Sequence, residues 1–443
     1  MDTILFDRLK ELISDFQVEP LITGVPRDLA FERVPRKAAI CIGVRRCGKS
    51  TLLFQQMQRL LEQGVSRRNL VYLNFFDDRL HALRSDTLGL VSEAYYSLYP
   101  EKKGTEKVFF FFDEVQCVPG WEAYVDRLLR TEKCEVFLSG SSAQMLSKEI
   151  ATQMRGRSLA WELFPFSFVE FLRARKLTPS SSMTSRERLL IRKAFEAYLE
   201  TGGFPEVLDL TPHLRVKTHQ EYLTAILFRD VIERHDISSP KAVDDLAHWL
   251  IDNTASLYSA NKLTGYLKAL GHKVPKATVG DILGWFEDTY FLFTVRIFDA
   301  SLARSNTNPK KIYCVDHALV QSVASGVLVN SGHLLENLVF MSLRREHADI
   351  FYYKTRSGRE VDFVIPMKGG AVRLVQVCET LARPETRKRE CQALADAMGE
   401  LRCKTVTLVT LDEEGEERVA SGVITITPAW RFLLEGRYEA DLP

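Results

Sequence analysis

One octapeptide constrains this chain more than any other stretch: Gly43, Val44, Arg45, Arg46, Cys47, Gly48, Lys49 and Ser50 match the pattern Gly-x-x-x-x-Gly-Lys-Ser. It follows the apolar run AAICI and leads at Thr51 into TLLFQQMQRLL, whose apolar spacing is that of a helix. A glycine-rich turn between strand and helix brings backbone N–H groups and the positive helix end to one point, where they cradle phosphate. Lys49 is then placed to reach the β and γ phosphates of a nucleoside triphosphate, and the Ser50 hydroxyl to ligate Mg2+.

The surrounding pattern agrees. Between about residues 38 and 165, β-type runs (AAICIGV, LVYLNFFD, VFFFFDE, EVFLSGS, SLAWELF) alternate with helix-type segments, which predicts a parallel sheet. Unbroken apolar strands such as residues 108–112 are expected where helices cover both sheet faces. Beyond Pro165 the pattern turns helical, with a polar loop at TPSSSMTSRER. The runs FLFTVRIF and KKIYCV then suggest a hairpin after two helices, the form of a small winged helix. Past residue 330 comes α/β again: a helix near Leu334, three strands, a charged helix from Pro384 and the strand TVTLVTL. At 443 residues the chain exceeds one ordinary core. The predicted fold is α/β: a P-loop NTPase domain over 1–175, a helical and winged-helix domain over 176–325, and a second α/β domain over 326–443.

The phosphate loop has expected partners. The strand VFFFF ends in Asp113 and Glu114, at the sheet edge where α/β proteins bind ligands. Asp113 is suited to hold Mg2+ and Glu114 to polarise the attacking water. Ser139, at the end of EVFLS, reads as a polar sensor of the γ phosphate or as a plain turn residue. Arg155 and Arg157 flank Gly156 and are suited to stabilise transferring phosphate from a neighbouring subunit, which would make the protein a homo-oligomer.

With 59 basic and 58 acidic side chains, whole-chain charge announces neither a nucleic-acid nor a membrane partner. No apolar run reaches the length of a membrane span, and the first residues read as an amphipathic helix, so the expected location is the cytoplasm. The cysteines are scattered singly, without a zinc or disulfide pattern.

The phrases RRCGKSTLL, FFDEVQCVPGWE, FLSGSSAQMLSKEIATQMRGRS, ELFPFSFVEFL and TGGFPEV, in that order, resemble an AAA-type ATP-binding family of bacteria and archaea. The resemblance implies ATP rather than GTP as the nucleotide. It also implies a carboxy-terminal domain of unknown function similar to restriction-endonuclease folds. The matching nuclease-like positions read Glu336, Asp362 and Gln376, with Cys378 where such a site needs a lysine and Glu360 two places before Asp362. The departure favours a domain that binds nucleic acid or protein without cutting; an ATP-regulated nuclease and a non-hydrolysing ATP-dependent scaffold are the alternatives. For the middle segment, Lys273 and Lys276 at a helix start, with Arg304, Lys310 and Lys311 in the wing, leave open DNA contact or a packing role.

Overall fold

The computed structural model describes residues 3–146, 148–180, 182–324 and 330–435. The chain divides into two units, the first ending at Leu163 and the second beginning at Phe164. No described helix is long and apolar enough to cross a membrane.

The first unit opens with α1 (Thr3–Val18), whose Leu5, Leu9, Ile13 and Phe16 recur at helical spacing and form its buried face. Then β1 (Ala38–Ile42), α2 (Lys49–Glu62), β2 (Leu70–Asn74), α3 (Gly89–Leu98), β3 (Val108–Asp113), α4 (Trp121–Thr131), β4 (Cys134–Gly140), α5 (Lys148–Gln153) and β5 (Ser158–Glu162) follow. The strands form one parallel sheet in the order β2-β3-β4-β1-β5. Every residue of β1 and β3 is buried, as strands covered on both faces require. The Phe111 and Phe137 rings stack at 4.7 Å between centroids, knitting β3 to β4. Parallel register positions the site: Ile42 lies level with Gly140, and Asn74 with Asp113, so the segments after β1, β3 and β4 leave the sheet at one edge.

The second unit begins with α6 (Phe168–Ala174), α7 (Ser185–Thr201), α8 (Pro212–Ala225), a π-helical turn at Ile226–Glu233, and α9 (Pro240–Asp252). Capping boxes start α6 at Ser167 and α7 at Thr184, so the expected polar loop ends in the turn that nucleates α7. Next come β6 (Leu257–Tyr258), α10 (Ala260–Ala269), α11 (Lys276–Asp288), β7 (Leu292–Ile297), α12 (Leu302–Thr307), β8 (Lys310–Cys314) and α13 (His317–Val323). The remainder is α14 (Ser331–Glu346), β9 (Phe351–Lys354), β10 (Glu360–Pro366), β11 (Val372–Val377), α15 (Pro384–Leu401), β12 (Thr405–Thr410), β13 (Gly415–Val419), β14 (Gly422–Pro428) and α16 (Ala429–Glu435).

These strands make one nine-stranded mixed sheet, β13-β14-β12-β11-β10-β9-β7-β8-β6. The two segments expected on either side of residue 325 therefore share a sheet, joined where β7 pairs in parallel with β9 through Arg296↔Phe351 and Ile297↔Tyr352. α15 closes the core over β10, β11, β12 and β14, packing Leu394, Ala397 and Met398 with Val364, Leu374, Leu408 and Ile424.

A single carboxylate secures the start of α13. Asp316 is 4% exposed; its Oδ1 accepts from the Ala318 and Leu319 N–H groups at 2.9 and 3.0 Å, and its Oδ2 from the Gly203 N–H at 2.7 Å. Removing it leaves three amides without that acceptor. The Asp316→Ala variant is expected to lose about 3 kcal/mol of stability, read as a lower urea midpoint with an unchanged slope.

Candidate nucleotide site and a second charged pocket

The loop after β1 is shaped by close approach. A Cβ at Gly43 would lie 2.0 Å from the Leu163 carbonyl oxygen, so only glycine fits there. Gly48 takes the left-handed conformation at φ 101 as the N-cap of α2, and no side chain caps that helix. Its first-turn N–H groups are therefore left to the loop and to an anion bound in it, the arrangement that phosphate needs.

Lys49 is 5% exposed, and its Nζ donates to the Gly43 and Val44 carbonyls, each at 3.2 Å. The same ammonium lies 3.7 Å from Glu114 Oε1. Burial is the largest influence on the Lys49 charge and opposes it, but the surrounding negative groups, Glu114 first among them, together outweigh it and hold the pKa above the usual lysine value. Residues before β1 brace the loop: Arg27 Nη1 donates to the Cys47 carbonyl, and Gln55 Nε2 to the Thr23 and Val25 carbonyls, all at 2.7 Å. Burial pushes the Cys41 and Cys47 thiols up, so both remain neutral packing groups.

Asp113 is 1% exposed and fixed on both oxygens. Oδ2 accepts from the Tyr72 hydroxyl at 2.9 Å, and Oδ1 accepts from the Ser139 hydroxyl. Burial, then the Asp113 charge, pushes the Tyr72 hydroxyl up, which keeps it a donor. Ser139 also accepts from the Glu114 N–H at 3.1 Å. Its proton is thus directed at Asp113, and its contacts are with the acid pair. Glu114 itself sits at φ 52, a left-handed conformation that costs a non-glycine residue roughly 1 kcal/mol and that recurs at functional sites. Gln116 Nε2 donates to Glu114 Oε2 at 2.5 Å, while its buried Oε1 has no partner among the described residues.

Arg155 and Arg157 lie at the other end of the sheet. β5 starts level with Ala38, the first residue of β1, whereas the phosphate loop leaves β1 at its last. Arg157 pairs with Asp126 of α4 at 2.5 Å, and Arg155 is exposed at φ 49. Neither arginine reaches the phosphate loop of its own chain.

The second unit holds a charged pocket of a different kind. Lys311 was expected to be a wing cation; instead it is 3% exposed on β8. Its Nζ lies 2.9 Å from Glu336 Oε1, 2.8 Å from Glu360 Oε1 and 2.8 Å from Asp362 Oδ1. The Tyr313 hydroxyl donates to Glu336 Oε1 at 2.7 Å, and the Val377 N–H to Asp362 Oδ2 at 3.0 Å. Gln376 faces no cation: its Oε1 accepts from the Asp362 N–H at 3.0 Å and its Nε2 donates to Glu390 at 2.9 Å. The ammonium missing at Cys378 is supplied by a strand 67 positions earlier in sequence (378 less 311). Among the described residues, no group of three or more His, Cys, Asp and Glu is arranged to hold a metal ion.

Residues 35–172 match the family model described as an AAA domain, and residues 192–327 and 331–432 match two domains of unknown function, DUF8612 and DUF4143. An uncharacterized protein of Methanocaldococcus jannaschii is 32% identical over 442 residues, spanning 97% of this chain and 95% of that one. The chain belongs to this AAA-type family. A second member, an uncharacterized protein of Haemophilus influenzae, is 28% identical over 337 residues, 76% of this chain and 80% of that one. Among solved structures, the Aeropyrum pernix Orc1 protein in complex with DNA aligns with 72% of this chain and 90% of its own, at 15% identity and a TM-score of 0.30. Cdc6p from Pyrobaculum aerophilum aligns with 69% and 88%, at 14% identity and 0.25. Likeness at that level carries no inference about function.

In this AAA-type protein, sequence reading had missed Tyr72, Gln116, Arg27 and the inward turn of Lys311. Tyr72 carried a weak signal, a hydroxyl placed in an otherwise apolar strand. Lys311 carried a stronger one, since KKIYCV alternates and places Lys311 and Tyr313 on one face.

The second pocket generates a pH dependence. Burial, then the Asp362 charge, pushes the Glu336 carboxyl from 4.5 up to about 7. A carboxyl held above its unfolded value stabilises the folded chain through its proton. That contribution is complete below about pH 4.5 and is lost as pH rises through about 7. Wild type should therefore lose stability relative to Glu336→Gln between those values, measured by urea unfolding at a series of pH values. Parallel curves for the two proteins would rule the shift out.

Proposed function

We propose that this protein is a cytoplasmic ATP-dependent switch: it binds ATP with Mg2+ at Gly43 through Thr51, hydrolyses it, and couples the cycle to nucleic-acid or protein binding by the segments after residue 175. The observation that carries this reading is the meeting at one sheet edge of a buried Lys49 ammonium and Glu114, 3.7 Å apart, beside an Asp113 fixed by Tyr72 and Ser139. The donor set fits the ligand: uncapped amides and Lys49 for phosphate, Ser50 and Asp113 for the metal ion. When bound, Mg2+ supplies positive charge against the phosphates.

Phosphate oxygens compete with Glu114 for the Lys49 ammonium. Binding of ATP thereby releases the carboxylate to polarise a water molecule, with the unpartnered Gln116 Oε1 beside it as a second acceptor. Arg155 and Arg157 are suited to complete the site of a second copy of the chain, in keeping with a homo-oligomer. DNA contact rests on the α10–α11 pair with the β7–β8 hairpin, a winged-helix arrangement. Lys273 and Lys276 are exposed at the start of its second helix.

Two variants separate the roles. Lys49→Ala should weaken ATP binding about a hundredfold, through loss of a buried phosphate cation. Glu114→Gln should bind ATP as wild type does and hydrolyse it about a hundredfold to ten-thousandfold more slowly. Calorimetry and a phosphate-release assay read the two effects, and wild-type turnover in Glu114→Gln would refute the assignment.

A further inference from the structure

We infer that Lys311 is the resident cation of the second pocket, its ammonium holding the seat that a divalent metal ion takes in nuclease-like folds, so that the pocket of this chain is closed to metal. An ammonium has three N–H donors; here it donates to Glu336 at 2.9 Å and to Asp362 at 2.8 Å, and it pairs with Glu360 at 2.8 Å. Those are nitrogen–oxygen hydrogen-bond lengths. Mg2+ draws its oxygens to about 2.0–2.1 Å and requires six of them, so metal would need the pocket to contract around a point that Nζ now fills.

Two of the carboxylates are engaged by further donors. Asp362 Oδ2 takes the Val377 N–H at 3.0 Å, and Glu336 Oε1 takes the Tyr313 hydroxyl at 2.7 Å besides Lys311. Gln376, the third position of the nuclease-like pattern, binds the Asp362 N–H and Glu390. Lys311 cannot be displaced cheaply. Its strand is hydrogen-bonded on both sides, to β6 and β7, and its side chain is 3% exposed. Expelling its ammonium would leave the buried Glu336 and Asp362 without their shared cation. The pocket is thus an ionic joint that fastens β8 to α14 and β10. This deepens the non-cleaving reading of the carboxy-terminal segment and rests on it; the test reads metal occupancy, which is distinct from ATP turnover or DNA cleavage.

The test is a titration of the full-length, nucleotide-free protein with Mn2+, followed by electron paramagnetic resonance. Wild type and Asp362→Asn should show the same Mn2+ uptake. Lys311→Met, which keeps the stem and removes the charge, should bind Mn2+ ~10-fold or more tightly than wild type, and the gain should vanish in Lys311→Met/Asp362→Asn. Should Lys311→Met be unfolded alone, its refolding on Mn2+ addition supports the inference equally. Asp362-dependent Mn2+ uptake by wild type would overturn it, as would a folded Lys311→Met that gains none.

Discussion

Burying an ammonium is costly unless carboxylates meet it, and both candidate sites of this chain answer to that constraint. In the first unit Lys49 lies against the carbonyls of its own loop and faces Glu114. In the second, Lys311 is met by three carboxylates. The two solutions differ in what they leave available. Lys49 has one carboxylate at 3.7 Å, a loose partner that an incoming phosphate can replace. Lys311 has three carboxylates within 2.9 Å, a tighter set that a ligand would have to break.

That contrast organises the functional reading. The AAA-type unit keeps its charges exchangeable and stores strain where chemistry is proposed, in the left-handed Glu114. Ser139 and Tyr72 fix Asp113, which would keep the acid pair oriented as Lys49 changed partners in the proposed cycle. The second unit uses its charges for cohesion, tying β8 to elements that follow it in sequence and lie across the same sheet.

Much of the first unit was legible because its signals are local. Unbroken apolar strands, a glycine loop and an amphipathic helix each lie within a few residues, and all five predicted strands form in the predicted parallel manner. The second unit was less legible because its decisive contacts are distant. The pairing of Arg296 with Phe351 joins strands with α12, β8, α13 and α14 between them, and no periodicity announces it. β13 reads GEERV, too polar and too exposed to stand out, and it is held only as an edge strand on β14. The candidate site divides in the same way. The phosphate loop and acid pair follow from motif spacing. The hydroxyls on Asp113 and the amide on Glu114 arrive from residues whose local patterns predicted only strand or turn.

The central claim is that a nucleotide cycle at the phosphate loop drives binding elsewhere in the chain, and ATP turnover tests it most directly. Phosphate release by wild-type protein should be measured with Mg2+, with and without single- and double-stranded DNA, at two salt concentrations. The account predicts Mg2+-dependent hydrolysis that DNA stimulates, with the stimulation fading as salt rises because phosphate contacts release counterions. Tight ATP binding with negligible turnover under every one of these conditions would contradict it.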